Sequence, residues 1–188
     1  VRVRQSVALV EETGMQEVFF ATDYDGTIAM SSEKNAKGIG VPEAYEFAVL
    51  EVFGRGALAA YRNAGRLRNR SPRAVVVELQ GWGFRAQEST DSLTEELVLA
   101  KMKLLTEEVG KPVLGSDELW PRFTPGFKEF WNFLTASGLP IRTCVLSSGH
   151  GPFILKSFEL HGVKPPDVLV TDDETRVCKP PLTKPDRE

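Results

Sequence analysis

Val18-Phe19-Phe20-Ala21-Thr22-Asp23-Tyr24-Asp25-Gly26-Thr27 is the stretch that decides the fold. Its first half is apolar, aromatic and β-branched, which predicts a buried strand over 17–23. Its second half sets two carboxylates two residues apart, followed at once by a glycine-containing turn. An apolar strand fixes the backbone, and the turn opens at its carboxyl end. Open α/β sheets hold their ligands at that end, so Asp23 and Asp25 are placed where a reaction centre belongs.

Downstream of this stretch the pattern changes twice. Residues 28–40 read as a polar linker containing Ser31, Ser32, Gly38 and Gly40. Pro42 opens a helical stretch with Ala44, Phe47, Ala48, Leu50 and Val52 at helical spacing, and Gly54 and Gly56 break it. Leu58–Asn63 reads as another helix, 65–72 as a loop, and 73–81 as an apolar run of open type. Ser92–Val109 is amphipathic, with Ser92 and Glu95 spaced as a capping box. From Thr124 the alternation of the opening stretch resumes. A helix led in by Pro125 and Gly126, with Phe127, Phe130, Trp131, Phe133 and Leu134 on its apolar face, ends at Gly138 and Pro140. A strand over 141–146, a helix over 152–161 and a strand over 167–171 follow. Strand, helix, strand, helix, strand predicts right-handed crossovers and a parallel sheet. Residues 1–16 are compatible with a short helix or an extra strand.

Composition narrows the class. At 188 residues, with 41% apolar and 26% charged residues, the chain suits one good-sized soluble domain or a domain with an insert. A net charge of −3 argues against general nucleic-acid binding. No apolar run approaches the roughly 20 residues that span a bilayer, and no signal-type segment opens the chain, so no membrane partner and a cytoplasmic location are expected. Cys144 and Cys178 form neither a CxxC motif nor a disulfide framework, and Cys144 reads as a small apolar strand residue. The chain lacks an initiator Met and stops at Lys184-Pro185-Asp186-Arg187-Glu188, which reads as a helix start, so a fragment of a longer frame is expected.

Candidate site residues cluster where strands end. Asp23 and Asp25 follow the first, Ser147-Ser148-Gly149-His150 the second, and Lys179 and Lys184 lie beyond the third. In this order the chain resembles the haloacid dehalogenase superfamily, on its phosphatase and phosphomutase side. The first motif of that family, DxDx[TV] after an apolar strand, is matched by Asp23-Tyr24-Asp25-Gly26-Thr27. The second, Ser or Thr at a strand end, is matched by Ser147, and the third, a Lys often followed by Pro, by Lys179 or Lys184. The fourth motif, an acidic pair after a further strand, has no counterpart before the chain stops. The match covers 17–29 and 124–188; the region 30–122 matches the family's inserted cap in position and helicity only.

The resemblance implies a three-layer α/β Rossmann-like parallel-sheet core formed by 1–29 and 123–188, incomplete at its C-terminal strands, with an α-helical cap at 30–122. It implies Asp23 as nucleophile and Asp25 as the acid that protonates the leaving oxygen and then the base toward water. Mg²⁺ is implied at the Asp23 carboxylate and the Asp25 backbone carbonyl. Ser147, with Thr27, Ser148 and Gly149, would hold the phosphoryl group, and the lysine would neutralise charge. A helix after Lys179 would meet Pro185 within two turns, whereas one after Lys184 has Pro at its first position, which favours Lys184 while leaving both open. The expected partner is a small phosphorylated metabolite, and oligomeric state is left open. The implied reaction is phosphomonoester hydrolysis; a phosphomutase, or a catalytically incomplete fragment serving as a binding or interaction module, are the alternatives. The family also places a further strand beside the first one, so without it an apolar strand edge would be left unpaired.

Other residues carry weaker signals. Asp172 and Asp173 read as turn or capping acids rather than metal ligands, and His150 as a helix-entry residue. Arg62, Arg66, Arg68, Arg70 and Arg73 crowd one segment of the cap region, and read as an ion-paired surface before a leaving-group contact.

Overall fold

A computed structural model describes residues 18–30, 32–65, 67 and 70–171. The elements are β1 (Val18–Asp23), α1 (Val41–Asn63), α2 (Pro72–Gly81), α3 (Thr90–Glu108), α4 (Phe127–Ala136), β2 (Ile141–Leu146), α5 (Gly151–Leu160) and β3 (Val168–Val170). The strands form a parallel sheet in the order β1-β2-β3, with Val18 opposite Ile141 and Asp23 opposite Leu146. The fold is therefore α/β with a parallel sheet, and β1 is one edge of that sheet among the described residues.

Consecutive right-handed crossovers in a sheet that grows in one direction put both connecting helices on the same face. The aromatic packing follows that rule. Phe20 of β1 meets Phe130 and Trp131 of α4 edge-on, at ring distances of 5.4 and 6.4 Å. Trp131 in turn lies 5.4 Å from Phe158 of α5. Trp131 and Phe158 are fully buried with Val145 and Ile154, and this is the core of the sheet layer. Strand alternation sends Phe19, Ala21, Cys144, Leu146, Val168 and Val170 to the other face, where Leu146 is 42% exposed.

The helices α1–α3 have an apolar cluster of their own, in which Tyr45 and Tyr61 stack at 5.9 Å beside Val49, Val75, Leu79 and Leu93. Their base is different: Ala44, Leu105 and Val109 join the core of the sheet layer. Lys156 of α5 donates to the Thr106 carbonyl of α3 at 2.6 Å, so the helical insert is seated on α5.

The two linkers between sheet and insert run antiparallel and bind each other. Met30 N–H donates to Arg122 O at 2.8 Å, Leu114 N–H to Lys34 O at 2.9 Å, and Ala36 N–H to Pro112 O at 2.7 Å. Arg122 clamps Glu33 and Glu118 across this ribbon. Asn35, fully buried, accepts the amides of Lys37 and Ile39 and donates to Glu108 Oε2 at 2.7 Å. Lys37 Nζ takes the other Glu108 oxygen at 2.9 Å. The segment expected as a plain polar linker is thus a closed, side-chain-locked loop.

Local structure departs from the sequence reading at several points. The apolar run 73–81 is a helix that starts at Pro72, with Ser71 Oγ accepting the Ala74 amide. The α1 run is broken at Gly54 alone, whose φ of 84° and ψ of 179° only glycine adopts readily, and Gly56 continues the helix. On α1 the buried face is Ala44, Tyr45, Ala48 and Val49, while Phe47 and Leu50 face outward. Helix α3 starts one turn's fraction earlier than expected, with Ser89 rather than Ser92 at its cap, because Ser89 Oγ accepts the Ser92 amide. On α4 only Phe127 and Trp131 are buried; Phe133 is 64% exposed, because α4 is covered by the sheet and α5 along one stripe only. No helix among the described residues is long and apolar enough to cross a membrane.

Candidate active site

β1 ends at Asp23, and its register partner Leu146 ends β2, so the two strands stop side by side. Asp23 and Asp25 therefore emerge next to Ser147, although more than a hundred residues separate them in sequence. Ser147 N–H donates to Val170 O at 2.9 Å, which carries the ladder one residue beyond β2 before the chain turns.

The turn after β1 is built on Tyr24. Its carbonyl accepts the amides of Thr27, Ile28 and Ala29 at 3.3, 2.9 and 3.0 Å. Its own N–H donates to Asp23 Oδ1 at 2.9 Å. Alternation across this turn leaves Tyr24 buried, Asp23 half-buried, and Asp25, Gly26 and Thr27 exposed. One carboxylate is thus held by backbone at the strand end and the other stands on the lip of the turn.

The loop after β2 is equally constrained. Ser147 is buried and its Oγ accepts the Gly149 amide at 2.9 Å. Ser148 is exposed, and His150 is the buried N-cap of α5, as a helix-entry residue would be. Asp25 Oδ2 lies 4.0 Å from where a Cβ on Gly149 would stand, and Ser147 Oγ 3.1 Å from it. Asp25, Ser147 and Gly149 are accordingly brought together, with Asp23 at the end of the adjoining strand. The arrangement offers two carboxylates facing a hydroxyl and the start of a ten-residue helix, where backbone amides favour an anion.

Two groups near the site have displaced titration. Burial, with a further push from the Asp25 charge and an opposing contribution from the Ser157 hydrogen bond, raises the Tyr24 phenol well above its ordinary value. Burial likewise pushes the Cys144 thiol up, in keeping with a packed apolar residue of β2.

Lys179, Lys184, Asp172, Asp173 and Cys178 lie outside the described residues, as do 1–16, Arg66 and Arg68. Of the described arginines in the insert, Arg62 pairs with Glu46 at 2.7 Å and Arg73 with Asp91. A surface hollow of about 550 Å³ lies beside the start of α2, lined by Arg70, Ser71, Arg73, Ala74 and neighbours, and none of the strand-end residues line it. Sequence reading passed over Tyr24 and Ser157, whose hydroxyls meet at 2.6 Å beneath the site. Tyr24 was visible only as the variable position between two aspartates, and no pattern singles out Ser157.

No protein-family model matches this chain, and no curated protein matches it. Among solved structures it is similar to CbbY from Rhodobacter sphaeroides in complex with phosphate, with 16% identity over 81% of this chain and 62% of that one, at a TM-score of 0.45. It is also similar to a dehalogenase, with 14% identity over 90% of this chain and 67% of that one, at a TM-score of 0.33. The chain thus spans less than two thirds of the length of the first of these proteins.

Proposed function

We propose that this chain is the catalytic portion of a Mg²⁺-dependent phosphomonoester hydrolase of the haloacid dehalogenase type, acting on a small phosphorylated metabolite through an aspartyl phosphate. One observation carries the reading: the Asp23–Asp25 turn and the Ser147–Gly149 loop end adjacent strands at the carboxyl edge of a parallel sheet, with Asp25 Oδ2 4.0 Å from the Cβ position of Gly149. The motif residues quoted from the sequence supply the rest.

In this reading an Asp23 carboxylate oxygen attacks phosphorus and the bond from phosphorus to the leaving oxygen breaks. Tyr24 N–H on Asp23 Oδ1 orients that carboxylate. Asp25, on the exposed lip, gives its proton to the leaving oxygen, then takes one from the water that attacks the acyl phosphate, releasing inorganic phosphate and restoring Asp23. The Ser147 hydroxyl, with the amides of Ser148 and Gly149 and with Thr27, binds the non-reacting phosphoryl oxygens. Lys184, or Lys179, neutralises them. Catalysis of this kind is mostly positioning and charge neutralisation.

Mg²⁺ is ordinarily held by one or two carboxylates, waters and the substrate's own phosphate. Asp23 and the Asp25 backbone carbonyl would hold it, and it would supply a positive charge against the transferring phosphoryl oxygens. In this reading the helices α1–α3 serve as the cap, and their closure would exclude water until the acyl phosphate forms.

Hydrolysis of p-nitrophenyl phosphate with and without Mg²⁺ tests the reading. Activity that needs Mg²⁺ and is lost in Asp23→Asn supports it. Absence of activity in the chain extended at its C-terminus sinks it. A panel of phosphorylated metabolites then identifies the substrate.

A further inference from the structure

We infer that Tyr24 is a positioning residue of this site: its hydroxyl, acting through Ser157, holds the Asp23–Asp25 turn in register with the Ser147–Gly149 loop. The inference rests on the phosphatase reading and adds to it a residue that does no chemistry itself.

Tyr24 is joined to α5 by a short series of contacts. Tyr24 and Ser157 are both fully buried. Ser157 Oγ donates to the Ile154 carbonyl of its own helix at 2.6 Å, so its proton is committed and Tyr24 must be the donor in the 2.6 Å bond between the two hydroxyls. The Tyr24 ring also rests edge-on against Phe153 of α5, at 5.9 Å and 79°. Ile154, which receives the hydrogen bond at its carbonyl, sends its Cδ1 to within 3.6 Å of the Cβ position on Gly149. Gly149 faces Asp25 Oδ2 at 4.0 Å across the same position, and Asp25 is bonded to Tyr24. The Tyr24 hydroxyl, through Ser157 and the Ile154 carbonyl, and the Tyr24 ring, through Phe153, therefore join the turn after β1 to the first turns of α5, which follow directly from the Ser147–Gly149 loop. The other end of the turn is tied to the opposite linker, where Thr124 N–H donates to Ile28 O at 2.8 Å and Met30 N–H to Arg122 O at 2.8 Å, while the Tyr24 hydroxyl ties it to α5.

A buried tyrosine with a satisfied hydroxyl is ordinarily a packing element. Packing alone would be served by the ring on Phe153. The hydroxyl adds a directional constraint between two loops whose spacing sets the distance from Asp25 to the phosphoryl-binding amides. A small misplacement of reacting groups costs rate far out of proportion to the displacement.

Tyr24→Phe keeps the ring and removes only the donor; Ser157→Ala removes the acceptor. The expected result, assayed with Mg²⁺ and p-nitrophenyl phosphate well below the lowest melting temperature, is a fall in kcat of about tenfold in each variant, with KM held within about twofold. The double variant is expected to fall no further, because both remove one link. The Gly149 amide resonance should move in both single variants, measured by nuclear magnetic resonance on the full chain. An active protein in which Tyr24→Phe and Ser157→Ala keep full kcat overturns the inference, as does an unmoved Gly149 resonance. If the unsubstituted protein has no phosphatase activity, the phosphatase reading falls, and the tether is then decided by the Gly149 resonance alone. Should Tyr24→Phe fail to fold, Ser157→Ala carries the same two readouts.

Discussion

Asp25 Oδ2 and Gly149 face each other across 4.0 Å, measured to the position that a Cβ on Gly149 would take. Two strand ends meet there, and a side chain at 149 would stand between them. The same Cβ would press on Ser147 Oγ at 3.1 Å, closer than ordinary contact. Gly149→Ala is therefore expected to rotate the Ser147 hydroxyl out of place without unfolding the chain. The expected outcome is a loss in kcat of about tenfold or more with a melting temperature changed by only a few degrees. Steady-state kinetics beside a thermal melt checks it, and an unchanged kcat would remove Ser147 from the phosphoryl-binding set.

The unequal settings of the two aspartates predict different lesions. On the proposed phosphatase reading, Asp23→Asn removes the attacking oxygen and should abolish turnover. On the same reading Asp25→Asn leaves the nucleophile in place and removes the base toward water. With p-nitrophenyl phosphate, whose leaving group needs little protonation, the acyl phosphate is expected to form and persist in Asp25→Asn. Intact-protein mass spectrometry after rapid acid quench should show the added mass of one phosphoryl group in that variant and none in Asp23→Asn.

Far from the site, Asp167 clasps β2 to the start of β3. Its Oδ2 accepts the Thr143 amide at 2.8 Å and the Thr143 hydroxyl at 2.9 Å, and Lys164 pairs with Oδ1 at 3.0 Å. The Thr143 amide above all, then Lys164 and the Thr143 hydroxyl, hold this carboxyl down to about 2, against an ordinary 3.8. A depressed folded-state value stabilises the protein above the unfolded-state value and is lost as pH falls toward the folded one. The contribution should thus be full above pH 4 and disappear between pH 4 and 2. After discounting for partial exposure, Asp167→Asn is expected to cost about 1–2 kcal/mol at pH 7. Urea unfolding of both proteins across that window should show the difference shrinking as pH drops.

Asn35 predicts the largest stability loss among the residues of the ribbon between sheet and insert. Asn35→Ala strips two loop amides of their acceptor and removes a donor from Glu108, which is only 5% exposed. Leaving a buried carboxylate short of a partner is expected to cost about 2–4 kcal/mol. Chemical denaturation should show a lowered midpoint with an unchanged slope.

How much was legible in sequence follows from how local each signal is. The strand at 141–146 and the aspartates after β1 could be read directly, because strand alternation and the strand-to-turn change are properties of neighbouring residues. Helix faces were read less well: Phe47, Leu50 and Phe133 have the spacing of buried positions yet face outward. Periodicity says that a stripe exists, while the width of the buried part depends on what packs against it. The apolar run 73–81 could not be assigned by period alone, and Ser71-Pro72 decided it as a helix start.

The sequence by itself determined the strand–helix alternation, the parallel sheet, and the two carboxylates at the end of β1, since each rests on local pattern and chain connectivity. Only the tertiary structure decided which distant residues meet. It set Asp23 beside Ser147 through the Asp23–Leu146 register, laid Gly149 against Asp25, and joined the hydroxyls of Tyr24 and Ser157 at 2.6 Å. The physical reason is that register and helix docking minimise the exposure of an entire apolar layer. That is a collective property of Phe20, Trp131, Val145, Ile154 and Phe158 packed together, and no segment of the chain carries it alone.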